Sequence, residues 1–177
     1  LAHLQLAVAA KKAMVIGVTG LTDTQYAEVQ AASRIIPIVW APNMSVGVNL
    51  LLHLVQTAAR VMGQTADIEI IEAHHRFKKD APSGTAISFA EGLLPHFTAL
   101  NGWSLDGQEP GALPVYARRE DPVPGTHTVR YESDIDRIEL VHTAHNRRGF
   151  ALGAVLAAER IHELVPGAHH FSKLLFA

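Results

Sequence analysis

Apolar positions in the first 75 residues switch between two periods. Residues 13–18 (AMVIGV) form a short apolar run with turn residues after it, the pattern of a buried strand. Thr22 or Asp23 offers a cap for a helix over 24–33. Residues 34–40 (RIIPIVW) are β-branched and apolar and predict a second strand, weakened by Pro37. Ser45 can cap a helix over 46–62, where Val48, Leu51, Leu52, Val55, Ala59 and Met62 recur at helical spacing and so share one buried face. Residues 67–73 (DIEIIEA) predict a third strand. Strands and helices alternating with such short connections predict parallel strands joined by right-handed crossovers, half of a doubly wound nucleotide-binding sheet.

Beyond residue 75 the pattern changes. Residues 85–96 can form a helix that ends near Pro95, and 101–111 is a polar stretch rich in Gly and Asp. Two runs, 113–118 and 127–131, precede a third at 137–142; residues 132–136 (ESDID) are a turn signal that makes the last two an antiparallel hairpin. A helix is expected over 150–164, with Phe150, Val155, Ala158 and Ile161 pointing inward, ending before Pro166-Gly167. The fold class predicted is α/β: a partial doubly wound (Rossmann-like) parallel sheet plus an α+β substrate and oligomerisation domain whose open mixed sheet is mostly antiparallel.

Composition narrows the function classes. The chain has 177 residues, 48% of them hydrophobic and 18% charged, so it can bury a core. Lys plus Arg is 15 against 17 for Asp plus Glu, without the basic excess expected of a nucleic-acid binder. With no cysteine there is no disulfide, thiolate nucleophile or Cys-ligated zinc. No run reaches the roughly 18 apolar residues of a membrane span, and no secretory signal is visible, so a cytoplasmic protein is expected. The chain opens on Leu1 inside an apolar helical pattern, from which an N-terminal segment is expected to have been lost. Eleven histidines raise the question of a metal. Neighbours on a strand face opposite ways, so His74 and His75 are poor joint ligands. His162-Glu163-Leu164-Val165-Pro166 lacks the second histidine of a zinc-protease helix, and His169-His170 reads as exposed. No metal-ligating residue is expected.

Ligands of open parallel sheets bind beyond the carboxyl ends of the strands, and three unusual segments fall there. The first is Gly17-Val18-Thr19-Gly20. The second is Ala41-Pro42-Asn43-Met44-Ser45, just before a helix. The third is 72–86, EAHHRFKKDAPSGTA. In it two histidines and two lysines crowd the end of a buried strand, groups suited to acid/base work or anion binding near neutral pH. Pro82-Ser83-Gly84-Thr85 then opens a helix whose first N–H groups and hydroxyls make a carboxylate or phosphate site. Together they point to a small acidic substrate. The G-x-S-x-G elbow and the P-loop are absent.

Segment 72–86 resembles the signature E-x-H-H-x-x-K-x-D-x-P-S-G-T-A of the 4-hydroxy-tetrahydrodipicolinate reductase family of lysine biosynthesis. Residues 15–20 (VIGVTG), 41–49 (APNMSVGVN) and 142–154 match the family in the same order. The resemblance implies hydride transfer from NADH or NADPH to a cyclic unsaturated dicarboxylate. It gives His74 the acid/base role and makes Lys78 a proton donor. His75, Ser83, Gly84 and Thr85 would bind the substrate carboxylates. Gly17, Val18 and Thr19, with Ala41, Pro42, Asn43 and Met44, would line the nicotinamide. It also implies a division into 1–45 (nucleotide domain), 46–164 (substrate binding and tetramerisation) and 165–177 (return to the nucleotide domain), with a homotetramer formed through the hairpin 127–142. Two features depart from the family: no Gly-rich turn for a cofactor pyrophosphate is present, and Arg118-Arg119-Glu120 stands where Arg-Gly-Gly is expected. The alternative is a fragment or relative that binds a dicarboxylate without turnover. A semialdehyde dehydrogenase would need a cysteine nucleophile.

Overall fold

The computed structural model describes residues 1–63 and 65–176; Ala177, the end of the expected 165–177 segment, lies outside them. The elements run α1 (Ala2–Ala9), β1 (Met14–Ile16), α2 (Asp23–Ser33), β2 (Pro37–Trp40), α3 (Val46–Met62), β3 (Asp67–His74), α4 (Gly84–Leu93), β4 (Trp103–Leu105), β5 (Leu113–Arg119), β6 (Thr126–Glu132), β7 (Arg137–Thr143), α5 (Arg148–Arg160), β8 (Gly167–His170) and α6 (Ser172–Leu175). They form two compact units, Leu1–Asn49 with Arg148–Ala177, and Leu50–Arg147. No helix among the described residues is long and apolar enough to cross a membrane.

The first unit holds a three-stranded parallel sheet in the order β1-β2-β8. Thr22 caps α2 in a capping box: its hydroxyl accepts from Gln25 N at 3.3 Å, and the Gln25 side chain accepts from Thr22 N at 2.9 Å. Val29 and Ala32 of α2 pack with Leu4, Ile16, Ile36 and Ile38. The second strand begins at Pro37 rather than at residue 34, because a proline, which has no N–H for the ladder, is best placed at a strand's first residue.

Two expectations are corrected here. The third parallel strand is not 67–73 but β8, whose residues Gly167–His170 carry no apolar run. His169 is consequently buried, and its Nε2 donates to the Val165 carbonyl at 2.9 Å. Helix α5 also turns a different face inward: Gly153, Ala157 and, after the helix, Ile161 are buried, whereas Phe150 and Val155 are exposed and so is Ala158. The cause is a close approach. A Cβ on Gly153 would lie 1.6 Å from the Met44 carbonyl oxygen, so only glycine fits at that point. Ala157 and Ile161 then join Val39, Ala41, Met44, Phe171 and Leu174 in one core. Residues 148–160 thus pack with the first unit, although the expected division assigned 46–164 to the second.

The second unit is built on a five-stranded sheet in the order β4-β5-β3-β6-β7. β4-β5 and β5-β3 are parallel; β3-β6 and β6-β7 are antiparallel. The sheet is mixed, as expected, but not mostly antiparallel. The difference arises from β4, a three-residue strand inside the polar stretch 101–111 that is too short for its alternation to be read. Val115, Val129, Tyr131 and Leu113 are fully buried with Phe89, Ala90 and Leu93 of α4. The Tyr131 hydroxyl donates to the Val55 carbonyl of α3 at 2.5 Å. Of the predicted face of α3, Val48, Leu51, Val55 and Ala59 are buried, while Leu52 and Met62 are half-buried.

Candidate active site

Strand β3 alternates without a break: Ile68, Ile70, Glu72 and His74 are buried on one face. The pleat that sinks two isoleucines into the core therefore also sinks a carboxylate and an imidazole. Register supplies their neighbours. Glu72 lies opposite His127 of β6 on one side, and His74 lies opposite Arg119 of β5 on the other. Helix α4 begins close by, because Ser83 N donates to Glu72 Oε1 at 3.3 Å.

Every oxygen of Glu72 is used. Oε2 accepts from His74 Nδ1, and Oε1 accepts from Arg119 Nη1 at 3.1 Å as well as from Ser83 N. Burial by itself raises the Glu72 carboxyl, but the His74 hydrogen bond and charge, followed by the Arg119 guanidinium, outweigh it and hold the group below the usual carboxylate range. Arg119 also donates from Nη2 to the Asp80 carbonyl at 2.7 Å, which ties β5 to the loop before α4.

His127 is 4% exposed and its pKa is pushed down to about 3, first by burial and then by the nearby His74. It is neutral at physiological pH. Its Nε2 lies 3.1 Å from the Ser83 hydroxyl, and that hydroxyl caps α4 by accepting from Ala86 N at 3.2 Å. Among the described residues its Nδ1 has no hydrogen-bond partner. Its ring meets those of His74 and Phe89 edge to face, at 5.1 and 5.7 Å between centroids.

The residues expected from sequence divide into two groups. His74 and Ser83 belong to the buried cluster. Lys78 is half-buried and its Nζ donates to both oxygens of Asp80 at 2.8 Å, a bond that holds the Asp80 carboxyl below its ordinary range. Gly84 is exposed as the first residue of α4, and a Cβ built on it meets nothing within 4 Å among the described residues. Thr85 is half-buried beside it, and His75 is exposed, on the other face of the chain from His74. Glu72, Arg119 and His127 received no role from sequence. Their signal was there in part: Glu72 and His127 occupy the inward positions of alternating strands, two residues from Ile70 and Val129 respectively. A charged or titratable residue at such a position needs a partner.

The carboxylate of Glu72 and the ring nitrogens of His74 and His127 lie within 4.8 Å of one another, a set that could hold a metal ion. No ligand spacing along the chain pointed to it. Glu72 and His74 are bonded to each other, and the Arg119 guanidinium on the same carboxylate opposes a second cation there.

In the first unit, Gly17, Val18 and Thr19 follow β1, and Ala41, Pro42, Asn43 and Met44 follow β2. Because Ile16 pairs with Trp40, both segments leave the same carboxyl edge of the parallel sheet. The first is exposed and is tied down by the Trp40 indole, which donates to the Val18 carbonyl at 3.4 Å. In the second, Asn43 Oδ1 accepts from Ser45 N at 2.9 Å and Asn49 Nδ2 donates to the Asn43 carbonyl at 2.8 Å. Ala41 and Met44 are buried.

Known proteins resemble both units. The family model "Dihydrodipicolinate reductase, N-terminus" matches residues 1–44 and "Dihydrodipicolinate reductase, C-terminus" matches 47–175. A 4-hydroxy-tetrahydrodipicolinate reductase of Pseudoalteromonas atlantica is 43% identical over 191 residues, covering 98% of this chain and 68% of the relative. One of Christiangramia forsetii is 50% identical over 123 residues, covering 68% of this chain and 52% of the relative. The chain thus spans between about half and about two thirds of the length of such relatives. Among solved structures, the dipicolinate-bound dihydrodipicolinate reductase from Paenisporosarcina sp. TG-14 has the same fold, with a TM-score of 0.77 at 23% identity over 96% of this chain and 66% of that one.

Proposed function

This chain belongs to the dihydrodipicolinate reductase family, and from that premise we propose that the full-length protein reduces the dehydrated form of 4-hydroxy-tetrahydrodipicolinate to tetrahydrodipicolinate, in lysine and diaminopimelate biosynthesis. The observation that carries this reading is the buried His74, bonded through Nδ1 to an ionised Glu72 beside the Ser-capped start of α4. Reduction adds a hydride and a proton. A nicotinamide cofactor, NADH or NADPH, supplies the hydride when bound. His74, through Nε2, and Lys78 are the groups of this chain that exchange the proton, and Asp80 holds Lys78 in place. A dicarboxylate is recognised at the start of α4 by Ser83, Gly84 and Thr85, of which Gly84 is exposed and Thr85 half-buried, and by His75 at the surface. The structural relative solved with dipicolinate, itself a dicarboxylate, supports a ligand of that class.

The cofactor's nicotinamide end would lie on Gly17, Val18 and Thr19 and on Ala41 to Met44. These residues fit it on one structural ground: the exposed segment 17–19 and the partly buried segment 41–44 leave adjacent parallel strands at their carboxyl ends, and they approach closely enough that a Cβ on Gly17 would meet the Met44 side chain at 3.8 Å. The assay that tests the reading follows cofactor absorbance in the full-length protein, supplied with the hydroxy-dicarboxylate and either cofactor. No oxidation of either one would overturn it.

Gly84 gives a sharper test of the carboxylate site. The space beside its Cα is open, so Gly84→Val is expected to leave the fold intact and to raise the Michaelis constant for the dicarboxylate about tenfold, the loss of roughly one hydrogen bond. An unchanged constant for substrate with weakened cofactor binding would reassign the loop.

We also propose a homotetramer formed through the second unit. β7 is an edge strand, and it exposes Ile138 (38%) and Val141 (54%). An edge of that kind needs a cover. Light scattering of the full-length protein is expected to give four copies, and Val141→Asp to release smaller species; a monomeric parent protein would overturn the assignment.

A further inference from the structure

Resting on the acid/base role proposed for His74, we infer that Glu72 is its positioning residue: it fixes the tautomer of the imidazole and leaves Nε2 as the nitrogen that exchanges a proton with substrate. Glu72 is fully buried and ionised. An ionised carboxylate can only accept, so the hydrogen shared with His74 sits on Nδ1. Nε2 then carries the lone pair when the ring is neutral. That nitrogen lies over Gly125, the residue just before β6, where a Cβ would come within 3.0 Å of it. The missing side chain keeps this edge of the ring uncrowded.

Neighbours of the ring and of the carboxylate hold this orientation. The His127 ring packs edge-on against it, and His127 is itself anchored at the Ser83 hydroxyl. Because His127 is neutral, it places no charge beside the Glu72–His74 bond. Arg119 and the Ser83 amide occupy the other oxygen of Glu72, so the carboxylate cannot swing away from Nδ1 without breaking both bonds. Glu72 would thereby act on the reaction only through His74.

A purely structural role, cementing β3 to β5 through Arg119, predicts loss of stability on substitution and nothing about the imidazole. The experiment separates the two. In the full-length protein labelled with 15N-histidine, the His74 ring, identified by its disappearance in His74→Asn, is expected to show the Nδ1–H form in mildly alkaline buffer. This is read on the unaltered protein, so it holds even where a variant does not fold. Glu72→Gln is expected to lower kcat by between roughly 10- and 1,000-fold, with the Michaelis constants for substrate and cofactor within about twofold, because the ring loses its fixed tautomer. Glu72→Asp, which keeps the charge, should recover part of that loss. Gly125→Ala should lower kcat while leaving the Nδ1–H form in place. An Nε2–H form in the unaltered protein, or unchanged kcat in Glu72→Gln, would overturn the inference. It would fail alone if His74→Asn is inactive and Glu72→Gln fully active; an active His74→Asn would instead remove the acid/base role on which it rests.

Discussion

Replacing His74 with asparagine, or Lys78 with alanine, is expected to lower the turnover of the full-length protein by about two to four orders of magnitude, the usual scale for a lost acid/base group. Neither change should unfold the protein. Asparagine at 74 retains an N–H donor toward Glu72, so the buried carboxylate keeps a partner besides Arg119 and the Ser83 amide. Lys78 is half-buried and is bonded to an exposed carboxylate; such ion pairs contribute little to stability. A drop in activity with an unchanged unfolding midpoint would therefore report chemistry. The two variants should also differ from Gly84→Val, whose loss lies in the Michaelis constant and not in kcat. Near-normal turnover in both His74→Asn and Lys78→Ala would sink the assignment of proton transfer to this strand end.

A steep loss of stability in mild acid is the second large effect. His127 is neutral in the folded protein down to about pH 3, whereas an unfolded histidine titrates near its ordinary value of 6.5. Above pH 6.5 both states are neutral and the group has no effect. Between about 6.5 and 3 the unfolded chain binds a proton that the folded one refuses, so stability falls as pH falls, by about 1.4 kcal/mol per unit. From pH 7 to pH 5 the expected cost is about 2 kcal/mol from this residue. Glu72, held below the ordinary carboxylate range, works in a lower window: its contribution is whole above that range and is lost as the pH drops through the folded pKa. Urea unfolding at pH 7 and pH 5 measures the first effect without the second. His127→Gln, which offers an amide to the Ser83 hydroxyl, is expected to remove most of the difference. His142 and His170, both pushed down by burial, will keep a residual slope in the variant. An undiminished difference in His127→Gln would show that the refused proton belongs elsewhere.

Both effects trace to one property of β3. Its alternation puts Glu72 and His74 on the face of Ile68 and Ile70, so the core itself sets the environment of the titrating groups. Substitutions that weaken this face would alter the chemistry and the acid stability together.

Local features of the chain were legible without a structure because they depend on neighbours in sequence. The helical spacing of Val48, Leu51, Val55 and Ala59 predicted the buried side of α3, and Thr22 and Ser83 marked helix starts that they do cap. Segment 72–86 brought His74, Lys78, Ser83 and Gly84 to notice because their chemistry is packed into fifteen consecutive positions. Strand partners were decided only in three dimensions. The alternation of 67–74 says that a strand forms and which side is buried, but not which strand lies beside it. β3 pairs with β5 and β6 in the second unit, while the place expected for it in the first sheet is taken by β8, from the far end of the chain. The buried site is assembled the same way. Arg119 reaches Glu72 across 47 positions and His127 meets Ser83 across 44. No periodicity links residues so far apart; they converge because ladder register places them side by side, and because a buried carboxylate is stable only where that register brings it donors.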